Sequence, residues 1–329
     1  MIFVTGASGL IGSFVCRKLI EKGYAVKALK RSNSDLSLVQ DIQDQIQWVE
    51  GDLMNILEIG DYLEDVEKII HCAAFVSYDS RDEDLMHQIN VDGTANLVNW
   101  AVKKNIHLFV HFSSVASIGK DKNKDVPVST EETQWTSGEK TSAYARSKHQ
   151  AELEVWRGYA EGLNTIIINP SLVLGPGDWH RSSTQIFKYV EQQNRFYTAG
   201  TANFVDVRDV AEVTYRLLET DHYGERFIVN AGNVSYKKLF DTIADKMGKN
   251  PPQIQVSGPV IKLAILLEKI RSKISGSAPL VTDELAQVSE NKHTYDNQKV
   301  KHATNIEFHS LEETVDWTCQ QLAGNANAR

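Results

Sequence analysis

"VTGASGLIGSF", residues 4–14, places Gly6, Gly9 and Gly12 at three-residue intervals between an apolar run and a helical pattern extending from about Leu10 to Lys22. Three glycines at fixed offsets arise by chance about 0.07 times in such a composition, and the strand-before, helix-after setting lowers that further. The spacing has a physical use. One glycine permits a tight turn, the next lets backbone approach a pyrophosphate, and the third lets helix and strand pack closely with the helix N-terminus facing the anion. Ser8, Leu10 and Ile11 complete the turn and join the glycines as candidate nucleotide contacts.

Outward from this turn, short apolar runs at 2–5 (IFVT), 25–29 (AVKAL), 45–50 (QIQWVE), 68–73 (KIIHCA), 107–113 (HLFVHFS) and 164–169 (NTIIIN) alternate with helical patterns. Strands separated this way form βαβ units, and their nearly continuous apolar character requires cover on both faces. The fold class expected is α/β, a doubly wound parallel sheet with a smaller, mostly helical C-terminal lobe. The rhythm changes at "NPSLVLGPGD", 169–178, although "NFVDV" (203–207) and "RFIVN" (226–230) read as strands returning to the main sheet. Residues 1–169 with 201–231 are thus expected to bind the nucleotide, and 170–200 with 232–329 to form a substrate lobe. Helical patterns at 235–248, 259–272 and 310–323 fill the last hundred residues, without repeats or low-complexity tracts.

A chain of 329 residues with 42% hydrophobic composition is long enough to bury a large core. A net charge of -8 without a Lys/Arg block points away from nucleic acid and toward a small-molecule substrate. The densest basic run, "KDKNK" at 120–124, reads as a solvated loop. Cys16, Cys72 and Cys319 show no metal-ligand spacing, so no metal is expected, and so sparse a set suits a reducing cytoplasm. No basic n-region precedes the first strand, so a signal peptide is not expected. The apolar stretch 259–270 contains Lys262 and Glu268 and falls short of the ~20 residues of a membrane span, so a buried or interfacial amphipathic helix is expected, either capping a pocket or touching a membrane surface.

Two stretches share a Tyr-x-x-x-Lys spacing: "SAYARSK" (Tyr144, Lys148) and "YDNQK" (Tyr295, Lys299). Chance alone supplies roughly 0.8 such pairs, so context must choose. Tyr144 and Lys148 lie on one face of a helical stretch, and the buried strand thirty residues upstream ends at Ser113 and Ser114, on the sheet edge where ligands bind. Tyr295 and Lys299 have no such companion, and Asp296 reads more simply as the cap of a short helix. At the end of the second strand, "VKALKRSNS", no acid is present for a ribose 2′-hydroxyl. Lys30, Arg31 and Ser32 stand there instead, the composition of a 2′-phosphate clamp, so NADP(H) is expected over NAD(H).

"TGASGLIG" (5–12), "GDL" (51–53), "HCAA" (71–74), "NVDGTANL" (90–97), "FSSVASIG" (112–119), "YARSK" (144–148) and "NPSLVLGPGD" follow one another in unbroken order. Together they resemble the extended short-chain dehydrogenase/reductases, the epimerase/dehydratase superfamily, over at least residues 1–231. The resemblance implies a Rossmann-like domain in which Asp52 contacts adenine with Leu53 beside it. It further implies that Ala73 and Ala74 allow close cofactor approach, and that Pro170 and Ser171 join the cofactor site. Asn90 resembles the helix asparagine that supports the lysine through water, with a purely structural helix polar residue as the equal alternative. Ser114 matches the catalytic serine, Ser113 reads as structural, and His71 as a core histidine. A phenol of ordinary pKa near ~10 needs a nearby positive charge to act at neutral pH, and Lys148 would supply it. Ser114 would then hydrogen-bond a carbonyl oxygen, and Tyr144 would move the proton.

Dehydrating relatives carry an acidic pair after the serine, where this chain has Val115, Ala116 and Ser117. Many sugar-nucleotide epimerases carry Arg-Asp-aromatic-x-His, where this chain has "TANFVDV", with Ala202 and Asn203 for the charged pair and Asp206 for the histidine. What remains resembles the dihydroflavonol-reductase-like branch, implying an NADPH-dependent reductase of an aldehyde or ketone. A nucleotide-sugar epimerase holding NAD and a non-catalytic NADP-sensing or scaffold protein are the alternatives. Phe75, Tyr78, Trp135, Trp179 and Phe187 are candidate contacts for a bulky or apolar substrate. The family also implies a homodimer built from two helices per subunit, with a monomer as the alternative.

Overall fold

A computed structural model of the chain describes residues 1–77, 79–120, 128–135, 141–179, 183–256 and 292–327. Its first half runs β1 (Ile2–Thr5), α1 (Leu10–Glu21), β2 (Val26–Lys30), β3 (Ile46–Glu50), α2 (Ile56–Tyr62), β4 (Lys68–His71), α3 (Glu83–His87), α4 (Gly93–Lys103), β5 (Leu108–Phe112), β6 (Val128–Ser129), α5 (Ala143–Ala160) and β7 (Thr165–Pro170). Beyond Pro170 follow β8 (Leu172–Leu174), α6 (Thr184–Glu191), β9 (Phe196–Thr198), β10 (Thr201–Asp206), α7 (Val207–Leu218), β11 (Glu225–Val229), β12 (Gly232–Ser235), α8 (Tyr236–Met247), β13 (Ile254–Val256), β14 (Thr294–Tyr295), α9 (Gln298–Thr304) and α10 (Leu311–Asn327).

Seven strands form one parallel sheet in the order β11-β7-β5-β4-β1-β2-β3. Winding reverses at β1, which lies between β2 and β4, and ligands of such sheets bind at the crevice beyond this switch point. The six apolar runs from 2 to 169 all became strands of this sheet; the central ones are buried on both faces, whereas β3, with burial only at Ile46, is the partly exposed edge strand. Strand periodicity splits them between two layers. Ile2, Val4, Ile70, Val110, Ile166 and Ile168 pack toward α1 and α7, whereas Phe3, Ile69, Phe109 and Ile167 pack toward α2, α4 and α5. Each such fully buried side chain contributes roughly 1.5–3 kcal/mol.

One expected strand went elsewhere. "RFIVN" joined the main sheet as β11, but "NFVDV" became part of β10, which pairs with β8 and β12 in a separate three-stranded sheet. The physical reason is that β11 already occupies the edge of β7. The side chains of β10 face two ways: Ala202 and Phe204 enter a core with Leu239 and Ile243 of α8, while Val205 packs toward the main sheet. Helices α8 and α10 fall on the patterns expected at 235–248 and 310–323. Among the described residues no helix is long and apolar enough to cross a membrane. The apolar stretch 259–270, Tyr78 and most of the "KDKNK" run lie outside the described residues.

Candidate active site

The turn after β1 is built as its glycines require. Gly6 has φ +69°, and a Cβ there would stand 2.6 Å from the Ala73 nitrogen and 2.7 Å from the Cys72 carbonyl carbon. A Cβ on Gly12 would meet the Gly6 oxygen at 2.2 Å, so the first turn of α1 can lie against the loop only without a side chain. Gly9 is different: its nearest neighbour would be the Gly6 oxygen at 3.3 Å, leaving its approach side open. Gly9 is also the N-cap of α1, with no side-chain cap and no acidic residue in the first turn. The helix's orphan N–H groups and positive dipole end are thus available to an anion.

At the end of β2, Lys30 is offset by Glu50, whose carboxylate lies 3.1 Å from the ammonium. Lys30, one of the three residues of the expected clamp, therefore has a carboxylate neighbour in an exposed ion pair. Arg31 is exposed, with no carboxylate partner among the described residues; Ser34 Oγ accepts its backbone N–H at 2.9 Å. Ser32 is exposed beside it. After β3, Asp52 is exposed and accepts the Met54 N–H at 2.9 Å, while Leu53 is buried. Ala73 is half-buried and Ala74 exposed at the exit of β4.

The other half of the site is carried by α5, whose N-cap Ser142 accepts the Ala145 N–H at 3.1 Å. Tyr144 stands half-buried in the first turn, one turn before Lys148, which is 2% exposed. The Lys148 ammonium donates to the Phe112 carbonyl at 2.7 Å, tying α5 to the end of β5 two residues before Ser114. Ser114 is partly open and caps the short turn Val115–Ser117 by accepting the Ala116 N–H, whereas Ser113 is buried with its hydroxyl 3.1 Å from Ser117 Oγ. Burial lowers the Lys148 pKa to about 8, against the opposing pull of Glu152.

An ammonium has three N–H donors, and Phe112 is the acceptor Lys148 meets among the described residues. Ser171, at the end of β7, is also buried with its hydroxyl unpartnered among those residues. These unanswered polar groups and the open face of Gly9 fit a dinucleotide lying from α1 across to α5. Asn90 does not line that surface. It sits in a π-helical turn (Gln88–Asp92), 1% exposed, accepting the Phe75 N–H at 2.7 Å and donating to the Phe75 carbonyl at 2.9 Å and Ser147 Oγ at 3.0 Å. Both amide hydrogens are committed, to the Phe75 carbonyl and Ser147 Oγ, so it braces the β4 exit against α5.

The model of the NAD dependent epimerase/dehydratase family matches residues 2–232. The chain belongs to that family. Its members are NAD(P)-dependent enzymes acting at CH–OH and carbonyl groups. A Synechocystis sp. protein provisionally assigned as a dihydroflavonol 4-reductase is 29% identical over 322 residues, 95% of this chain and 92% of the relative. Cinnamoyl-CoA reductase 1 of Petunia hybrida is 28% identical over 241 residues, 69% of this chain and 72% of that one. The crystal structure of gox2253 superposes with a TM-score of 0.85 at 28% identity, covering 99% of this chain and 98% of that chain.

Within this family frame, the aromatic candidates separate. Phe187 is fully buried in the core of the C-terminal lobe, so it is packing and not a substrate contact; Trp179 lies against the same core. Phe75 is half-buried beside Asn90, and Trp135 stacks on His149 with ring centroids 4.3 Å apart and planes 6° off parallel. Asp206, which stands where epimerases carry histidine, is buried as the N-cap of α7 and accepts the Arg208 N–H at 2.7 Å. Tyr295 and Lys299 lie away from the crevice: Tyr295 is on β14 and Lys299 on α9, paired with Glu225 at 2.9 Å. His71 is a core histidine, bonded through Nδ1 to Thr5 Oγ1 at 2.6 Å and through Nε2 to Thr94 Oγ1 at 2.9 Å. Glu152, Asn169 and the half-buried Arg226, absent from the residues singled out by motif, together form a network under Ser114. Only the four-residue step from Lys148 to Glu152 could have signalled it.

Proposed function

We propose that this protein is an NADPH-dependent reductase of an aldehyde or ketone. NADPH, when bound, would supply the hydride; the chain's own residues position the carbonyl and handle the proton. Ser114 hydrogen-bonds the carbonyl oxygen and Tyr144 donates its phenolic proton to that oxygen as negative charge develops there. Lys148 orients ribose hydroxyls with the N–H groups left uncommitted among the described residues, and its charge one turn from Tyr144 favours the phenolate left behind. The observation that carries the reading is the buried Lys148, with one partner among the described residues, anchored to Phe112 two residues before Ser114 on the strand edge. Arg31, exposed and without a carboxylate partner among the described residues at the end of β2, supports the phosphorylated cofactor. The named reductase relatives support carbonyl reduction over epimerisation, as does the use of Asp206 as a helix cap.

The test is NADPH oxidation over a panel of aldehydes, ketones, acyl-CoA thioesters and sugar nucleotides, repeated with NADH and with Arg31→Asp. Carbonyl-dependent oxidation of NADPH is expected, with Arg31→Asp raising the KM for NADPH at least about tenfold while sparing NADH. Unchanged NADPH preference in Arg31→Asp would sink the cofactor assignment. Protein that purifies with tightly held NAD and acts only on sugar nucleotides would sink the reductase reading.

A further inference from the structure

Glu152 follows Lys148 by one turn on the same face of α5, and it is 1% exposed. Its Oε1 accepts from Ser117 Oγ at 2.5 Å and from Asn169 Nδ2 at 2.6 Å, while its Oε2 faces Arg226 Nη1 of β11 at 3.4 Å. The same Asn169 amide donates to the Ser114 carbonyl at 3.1 Å, and the same Ser117 hydroxyl lies 3.1 Å from Ser113 Oγ. One carboxylate therefore gathers Ser117, Asn169 and Arg226 beneath the turn that presents Ser114. A buried carboxylate is retained only where it is paired and hydrogen-bonded, and this one is so held on both oxygens.

The charged and titratable groups around Lys148 leave Glu152 a second task. His71 on β4 and His111 on β5 are held neutral by burial, and burial likewise holds the Cys72 thiol protonated. Thr94 of α4 and Asn90 carry no charge, and Arg226 reaches the cluster through Glu152 itself. Desolvation works against the ammonium, and Glu152 is the carboxylate that opposes it.

We propose that Glu152 is a positioning residue for the reductase site: its buried carboxylate, one helical turn from the Lys148 ammonium, supports that ammonium electrostatically and fixes the turn that carries Ser114. Arg226 is its counterweight, drawing part of the carboxylate's field away from Lys148. The role in turnover rests on the reductase reading, but the effect on Lys148 does not.

Lys148 can be titrated directly in protein labelled with carbon-13 at the lysine ε positions, its resonance identified by loss in Lys148→Arg. Glu152→Gln keeps the side chain's shape and removes its charge; the Lys148 midpoint should fall by about one pH unit. Arg226→Gln frees the carboxylate and should move the midpoint the opposite way. In a substrate assay the alkaline limb of kcat/KM should follow the midpoint in each variant. Midpoints unchanged in both variants would overturn the proposal. If Glu152→Gln does not fold, the Arg226→Gln midpoint decides alone, a rise supporting the proposal and no rise overturning it. Shifted midpoints in a protein that reduces no carbonyl would uphold Glu152's effect on Lys148 and sink the reductase reading.

Discussion

Lys148 is held at about 8 in the folded chain against an ordinary 10.5, chiefly by burial, and this has a thermodynamic sign. Between those values the unfolded chain binds one more proton than the folded one, so stability rises with pH across that window. Below pH 8 the full penalty of burying the ammonium is present. Lys148→Met should therefore abolish turnover yet raise stability at pH 7 by up to roughly 3 kcal/mol, less the hydrogen bond lost at Phe112, with the gain fading toward pH 10.5. Thermal melts of both proteins across that range check it; a variant destabilised equally at every pH would contradict the burial argument. Tyr144, Lys148 and Ser114 were legible as a candidate set because helix spacing and a strand end are local features. The ion pair of Lys30 with Glu50 was not legible, because Glu50 is twenty residues away on the neighbouring strand.

At the level of elements, the glycine turn separates structural from ligand-facing roles. Gly12→Ala forces a Cβ onto the Gly6 oxygen and should destabilise the protein by several kcal/mol, on the order of the worst packing substitutions. Gly9→Ala meets only one contact at 3.3 Å, so it should fold with nearly unchanged Tm while losing nucleotide affinity by about tenfold or more. Melting curves and nucleotide titrations distinguish the two; equal loss of stability in both would contradict an open approach at Gly9. The paired strands β4 and β5 add an acid sensitivity. His71 sits beside His111 in register, with rings 5.3 Å apart, and burial lowers His71 to about 3 and His111 well below 6.5. A depressed imidazole stabilises fully above 6.5, and that contribution drains away as pH falls toward 3. His111 has both ring nitrogens unpartnered among the described residues, so His111→Leu should shift acid unfolding to lower pH. Circular dichroism against pH reads this directly, and an unmoved midpoint would count against it. Strand assignment was legible here because doubly buried strands are apolar without interruption, whereas β10 carries the same pattern for two different cores and was placed in the wrong sheet.

Across the whole molecule, the reversal of winding at β1 brings the turn before α1, the exit of β4 and the end of β5 to one edge, and α5 closes that edge with Tyr144 and Lys148. The doubly wound architecture and this convergence follow from the order of strands, helices and glycines, which a sequence displays. The Glu152, Asn169 and Arg226 network was not legible, because it joins α5, β7 and β11, and nothing in the sequence near any one of them names the other two. The same holds for Phe187, whose aromatic character suits a pocket as well as it suits the lobe core that buries it. The proposed reductase chemistry depends on one device, Tyr144 one helical turn from Lys148 at the edge of the sheet. The measurement that tests it most directly compares wild type and Tyr144→Phe for NADPH binding and for single-turnover oxidation of bound NADPH with a reducible carbonyl. Affinity within about twofold of wild type and a rate lower by roughly 10²–10⁴ are expected. A Tyr144→Phe protein that reduces the carbonyl at the wild-type rate would place the proton donor elsewhere and contradict the account.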